Sequence, residues 1–265
     1  MVAAPRQALL ACASHDGDVA EGALWLAAED VPAVRPDQWL HTLDRLGEEV
    51  TTAISGAAES PRESLARVVR KRLRLRGAGG GDPRAHYLPD VMRRGSGVPI
   101  ACAVIWMALG RRAGIAVQGV NLPGHFIIRV GDELIDPVSG GEPLDEQDVR
   151  RLVATSTGGK LRGIDPAWLR VASTRDVLAR MSRNLRGCYA CLENWPLALQ
   201  SADRCVDLLP DEPAERRDRG ILLWRMGQCR AALDDLRAYL DDAPPEASDR
   251  TGIMEIAGRL RAFLN

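Results

Sequence analysis

The sequence predicts an α+β fold: a central helix on a small antiparallel sheet, with a helical region before it and helical repeats after it. Three observations carry this. Residues 95–141 hold one helix-length apolar segment followed by three short apolar runs separated by turn residues. Residues 5–75 carry apolar side chains at three- and four-residue spacing. The last third of the chain repeats itself with a period of 34. The boundaries that follow are a first domain over 1–175, with a helical N-terminal part (1–76) and a core (86–145), and a repeat domain over 176–265.

In the N-terminal part, ALLACA, GALWLAAED and PDQWLHTLDRLGEEVTTAI read as helices. In the last of these, Trp39, Leu43, Leu46 and Val50 form one stripe, and Asp37 after Pro36 supplies an acidic first turn. A further helix from Pro61 to Leu75 places Leu65, Val68, Val69 and Leu73 on one side. Its other side is the basic run RVVRKRLRLR. A phosphate or acidic partner could meet that run, but a solvated helix face with cations at its C-terminal end accounts for it, since no aromatic or phosphate loop accompanies it. GAGGGDP (77–83) reads as a flexible connector or turn, and HYLPDVMRR (86–94) as a short helix or turn.

The central helix begins at Val98-Pro99, because proline suits a first helical turn. Ile100, Val104, Met107 and Leu109, with Ala101, Ala103 and Ala108, make it apolar nearly all round, which assigns it to the core. Arg111, Arg112 and Gly114 end it. IAVQGV (115–120), HFIIRV (125–130) and ELIDP (133–137) read as strands joined by LPG and by Gly131-Asp132. Helices resume at 145–154 and from Asp176, across a loop-rich interval containing GGKLRGIDP.

Leu192 and Met226, Ala198 and Ala232, Leu199 and Leu233, Val206 and Leu240, and Pro210 and Pro244 pair at the 34-residue offset. That is the tetratricopeptide pattern. Repeat one covers 179–212 with Tyr189 and Ala198 at signature positions, repeat two covers 213–246 with Gly220 and Ala232, and a helix over 251–264 caps them. Two repeats and a cap bury little alone, so the unit is expected to pack on the preceding domain.

With 35 basic and 36 acidic residues, the chain has no charge excess to suggest a nucleic-acid or membrane surface. Nearly all the basic residues are arginine, which reads as a genomic composition bias. The opening MVAAPRQALLACASHDGD lacks a basic flank and a cleavage region, so no signal peptide is expected and the six cysteines are placed in a reducing cytoplasm, not in disulfides. No apolar run reaches the length of a membrane span. No cofactor or metal is expected. Cys188-Tyr189-Ala190-Cys191 is a CxxC without a second ligand pair, and His15, His41 and His86 show no ligand spacing. Walker, Rossmann and HExxH motifs do not occur.

The candidates for chemistry are Cys102 near the helix start, His125 entering the second strand and Asp136 closing the third. A nucleophilic cysteine needs a lowered pKa, which a helix N-terminus and an imidazole supply, and a carboxylate fixes the imidazole. Each residue also has a packing explanation. Buried cysteine is a routine core residue, and Asp-Pro begins turns.

The strings GVPI (97–100), GVNLPGHF (119–126) and IDP (135–137) with Gly140-Gly141, followed by tetratricopeptide repeats, resemble the SirB1 family, whose core is of the transglutaminase-like superfamily. The resemblance covers nearly the whole chain and implies a papain-like core. In active members of the superfamily a cysteine begins the helix, a histidine starts a strand as base, and an aspartate on the next strand orients it. His125 and Asp136 fall on those positions. Counted back from the glycine that ends the helix, the nucleophile position falls on Pro99, and Cys102 lies one turn deeper, shifted ~4.5 Å along the axis. SirB1 relatives usually lack the nucleophile.

The resemblance therefore implies a non-catalytic protein that binds a peptide or protein partner through the repeat groove. The alternative is a thiol-dependent amide hydrolase or acyltransferase in which Cys102 attacks, His125 is the base and Asp136 orients it. A scaffold acting through the repeats alone is the third reading.

Overall fold

A computed structural model of the chain describes residues 5–14, 17–56, 59–158 and 163–264. His15 and the middle of the glycine-containing interval at 158–166 lie outside the described residues. By contact density the chain divides into two compact units, 1–181 and 182–265.

The first unit opens with α1 (Pro5–Ser14), α2 (Val19–Asp30), α3 (Pro36–Ser55) and α4 (Pro61–Val68). Asp18 caps α2 by accepting from Ala20 N–H. Ser60 and Glu63 close a reciprocal capping box on α4. The α-helix expected to run to Leu75 stops at Val68. A π-helical turn follows over Val69–Leu73 and ends at Arg74 in the left-handed region (φ 52°). The wider turn keeps Val69, Leu73 and Leu75 all buried. The basic run faces solvent in ion pairs, Arg67 with Glu59 and Arg72 with Glu49.

A short parallel pair, β1 (Arg76–Gly77) and β2 (Ser96–Gly97), which periodicity did not signal, flanks α5 (Leu88–Arg94). The connector before α5 is held at Gly80. The His86 ring is buried, and its Nε2 donates to the Gly80 carbonyl at 3.0 Å.

The central helix is α6 (Pro99–Arg112), with Pro99 at its first position and every residue from Ile100 to Trp106 buried. It packs against α2, α3 and α5, and against β3 (Val117–Val120) and β4 (Ile127–Val130). With β5 (Glu133–Ile135) and β6 (Pro143–Leu144), these form an antiparallel meander in the order β3-β4-β5-β6. Its register places Gly119 opposite Ile128, and Ile128 opposite Ile135. The strands are shorter than the sequence runs: His125 lies two residues before β4 and Asp136 one residue after β5. Capped by Asp145, α7 (Glu146–Thr157) presses Val149 and Val153 onto Val120, Leu122 and Ile127. This is the predicted helix-on-sheet core of a mixed α+β chain.

The helix α8 (Thr174–Cys191) leads into the second unit, followed by α9 (Trp195–Leu208), α10 (Pro213–Arg225), α11 (Cys229–Asp242) and α12 (Arg250–Leu264). The end of α8 and both ends of α9 recur 34 residues later in α10 and α11, so the sequence period is the structural period. Buried Ala232, Leu233, Leu236 and Tyr239 form the second repeat's core, and Ile253, Ala257 and Leu260 on one face of α12 cover it. Glu215 is only 2% exposed and takes Arg183 Nε (2.5 Å) and Arg186 Nη1 (2.6 Å), so its buried charge is paired twice.

Candidate functional site

Two turns and one helix build the site. Leu122-Pro123-Gly124-His125 is a tight turn in which His125 N–H donates to the Leu122 carbonyl (3.3 Å). Proline sets the second position, and Gly124 takes φ +69° at the third, as a type II turn requires. A Cβ on Gly124 would also lie 2.2 Å from the Ser156 Cβ. Arg180 holds this loop. It donates to the Asn121 side chain and to the Leu122 carbonyl (2.8 Å), and its guanidinium lies 5.7 Å from the Phe126 ring centre.

The second turn runs from Asp136 to Gly141. Asp136 Oδ1 accepts from Val138 N–H (3.1 Å), and its carbonyl accepts from Ser139 N–H (3.1 Å) and hydroxyl (3.0 Å). Trp106, fully buried on α6, donates its indole N–H to the Pro137 carbonyl at 3.1 Å. Gly141, at φ +96°, lies against the same indole. The sequence reading did not single out Trp106 or Arg180. The signal for Trp106 was present: a polar-tipped aromatic on a wholly apolar helix needs an acceptor, and it lies one turn after Cys102.

These turns bring His125 and Asp136 together. Nε2 of the ring is 3.3 Å from Asp136 Oδ2, within ion-pair distance. The approach lies outside hydrogen-bond geometry, so among the described residues this Nε2 has no hydrogen-bond partner. Asp136 thus divides its carboxylate, Oδ1 holding its own turn and Oδ2 facing the imidazole.

Cys102 is placed differently. It has no solvent exposure, and its amide closes the first turn of α6 onto the Val98 carbonyl (3.2 Å). Burial pushes its thiol up to about 12; the Asp136 carboxylate adds to the rise, and a hydrogen bond from the Gly97 backbone opposes it. A negative charge acts on the sulfur where a nucleophile needs a positive one. Among the described residues no hydrogen bond joins Cys102 to His125. At the helix start Pro99 offers neither a thiol nor an N–H, which removes both an attacking atom and an oxyanion donor.

His86 is 2% exposed, and burial lowers its pKa, opposed by the Gly80 carbonyl and Asp82. Its Nδ1 has no hydrogen-bond partner among the described residues. Along α8, Cys188 is buried and Cys191 exposed. Among the described residues no group of three or more histidine, cysteine or acidic side chains is placed to hold a metal, and no helix is long and apolar enough to cross a membrane.

Comparison with known proteins gives the following. Residues 37–183 match the transglutaminase-like superfamily and residues 185–261 the tetratricopeptide repeat. A UPF0162 protein of Pseudomonas aeruginosa is 34% identical over 252 residues, 91% of this chain and 92% of its own length. A UPF0162 protein of Xylella fastidiosa is 39% identical over 170 residues, so the match spans 62% of this chain and 60% of that relative. The mouse F-box only protein 21 is 24% identical over 141 residues, 48% of this chain and 21% of its own length. No solved structure matches the chain.

Proposed function

The chain belongs to the transglutaminase-like superfamily, and from that premise we propose that it is a binding protein built on the superfamily core, not a thiol enzyme. Within the superfamily we place it in the SirB1 family, on the strings GVPI, GVNLPGHF and IDP. The observation that carries the reading is the placement of Cys102: fully buried, its thiol pushed up to about 12, with a carboxylate as the acting charge. Pro99 at the helix start supports the same conclusion, because it supplies no reacting atom. We place a recognition surface beside His125 and Asp136, whose own side chains are largely buried, 16% and 11% exposed.

The repeat unit supplies a second surface, for a peptide or protein. Arg225 stacks 4.6 Å from the Trp195 ring centre, and Leu192, just after α8, and Trp224, near the end of α10, are exposed. Tryptophan and arginine are the residues that dominate protein contacts. We assign the protein to the cytoplasm, consistent with six free cysteines.

The test is an amine-incorporation and peptide-hydrolysis assay on the full chain, using dansylcadaverine with a glutamine-rich acceptor protein and a fluorogenic peptide mixture. The reading expects the same background for the wild type and Cys102→Ser. Turnover lost in Cys102→Ser would overturn it.

A further inference from the structure

A cleft of about 790 Å³ lies in the N-terminal helical region, between α2 and the start of α3, apart from the His125–Asp136 pair. Its walls are apolar: Trp25, Ala28, Pro32, Val34, Pro36 and Leu40. Trp25, Val34 and Leu40 are each half-buried, so among the described residues the cleft keeps apolar surface open. The volume is that of a pocket for one small ligand, not of an extended groove.

The charges around it are unequal. Glu29 is neutralised by Arg6, whose Nε lies 3.0 Å and 3.1 Å from its two oxygens. Arg35 is committed to the Pro32 carbonyl at 3.1 Å. Glu21 accepts only a 3.3 Å bond from the Trp25 indole N–H, which draws the carboxylate beside that ring, and Asp37 stands exposed in the first turn of α3. No ion pair engages Glu21 or Asp37 among the described residues. With Glu29 and Arg6 cancelling, two carboxylates face one guanidinium.

We propose that this cleft is a binding site for a small organic amine, an aromatic or branched apolar group bearing one ammonium. The apolar part would fill the space between Trp25 and Leu40. The ammonium would sit at Glu21, whose carboxylate carries no ion pair among the described residues, at the rim of the apolar space. A carboxylate-bearing ligand of equal size would meet Glu21 and Asp37 as like charges.

The probes are 2-phenylethylamine and phenylacetate, which share a ring and differ in charge sign, titrated into the full ¹⁵N-labelled chain and followed by amide shifts. The expected result is saturable shifts confined to α2 and the first turns of α3, with the amine binding at least about tenfold more tightly than the acid. Glu21→Gln should weaken the amine and leave phenylacetate unchanged or slightly improved. This variant changes a half-buried surface group, and its amide spectrum reports directly whether the fold is intact. Equal binding of the two probes, an amine affinity unchanged in Glu21→Gln, or shifts mapping elsewhere would overturn the proposal. Tighter binding of the tetrapeptide Ala-Phe-Lys-Ala amide than of the free amine would overturn the small-ligand assignment in favour of a peptide.

Discussion

Gly141→Ala is the substitution that most sharply probes how the core presents Asp136. Gly141 sits at φ +96°, a backbone conformation that costs an L side chain about 1–2 kcal/mol. A Cβ there would lie 2.7 Å from the Ala66 Cβ and 2.9 Å from Trp106 Cη2. Neither can retreat freely, because Ala66 lies in α4 and the indole is hydrogen-bonded to Pro137. Overpacking of that kind adds about 1–3 kcal/mol, for a total near 2–5 kcal/mol. Gly131→Ala is the control: it also has positive φ, 59°, but nothing lies within 4 Å of its Cβ position, so it should cost only the backbone part. The assay is amide exchange of α6 against urea, which reports on the first unit's core. Gly141→Ala is expected to destabilise α6 by about 1–3 kcal/mol more than Gly131→Ala does. Equal costs would refute it, since the backbone alone would then explain both.

Three further outcomes follow from the same structure. Trp106→Phe retains a buried ring but strands the Pro137 carbonyl, and should lower stability by about 1–3 kcal/mol in a denaturant titration. In the repeat unit, Glu215→Gln removes the carboxylate shared by Arg183 and Arg186, with an expected loss of about 3 kcal/mol in thermal or urea unfolding. Burial alone would raise Glu215, but the two guanidinium groups outweigh it and hold the carboxyl below its ordinary range. Its stabilisation is therefore present above the unfolded value, about 4.3, and is lost as pH falls through the lower folded value. For His86 the direction is set by burial, which lowers its pKa, so below about pH 6.5 the unfolded state binds the extra proton. Stability of the first unit should fall as pH drops from 7 to 5, and the slope should flatten in His86→Gln.

Periodicity located the helices well because most have one buried stripe; Leu43 and Val50 on α3, or Val149 and Val153 on α7, announce their own faces. The repeats were legible for a different reason: their helix boundaries recur at the same offset as their residues. Strand ends were less visible. His125 and Asp136 read as strand residues because they adjoin apolar runs, yet their turns claim them through Pro123-Gly124 and Pro137. The π-helical turn after Val68 left no mark, since widening a helix keeps its apolar residues buried at nearly the same spacing. At the site, the order of Cys102, His125 and Asp136 was plain, but what acts on each was not. The buried thiol beside a carboxylate, the indole under Pro137 and the Arg180 clamp all depend on contacts between residues distant in sequence.

The central claim is that Cys102 is not a nucleophile, and site-resolved alkylation tests it most directly. At pH 7.5 an ordinary thiol of pKa about 8.5 is about 10% thiolate. A thiol at about 12 is roughly 3,000-fold less ionised. Its higher intrinsic nucleophilicity recovers roughly 30-fold, leaving a deficit near 100-fold before burial is counted. Iodoacetamide labelling read by peptide mass spectrometry, with exposed Cys191 as the internal reference, should show Cys102 reacting at least about 100-fold more slowly. Labelling of Cys102 at or above the rate of Cys191 in the folded chain would contradict the account and return the site to the thiol enzymes.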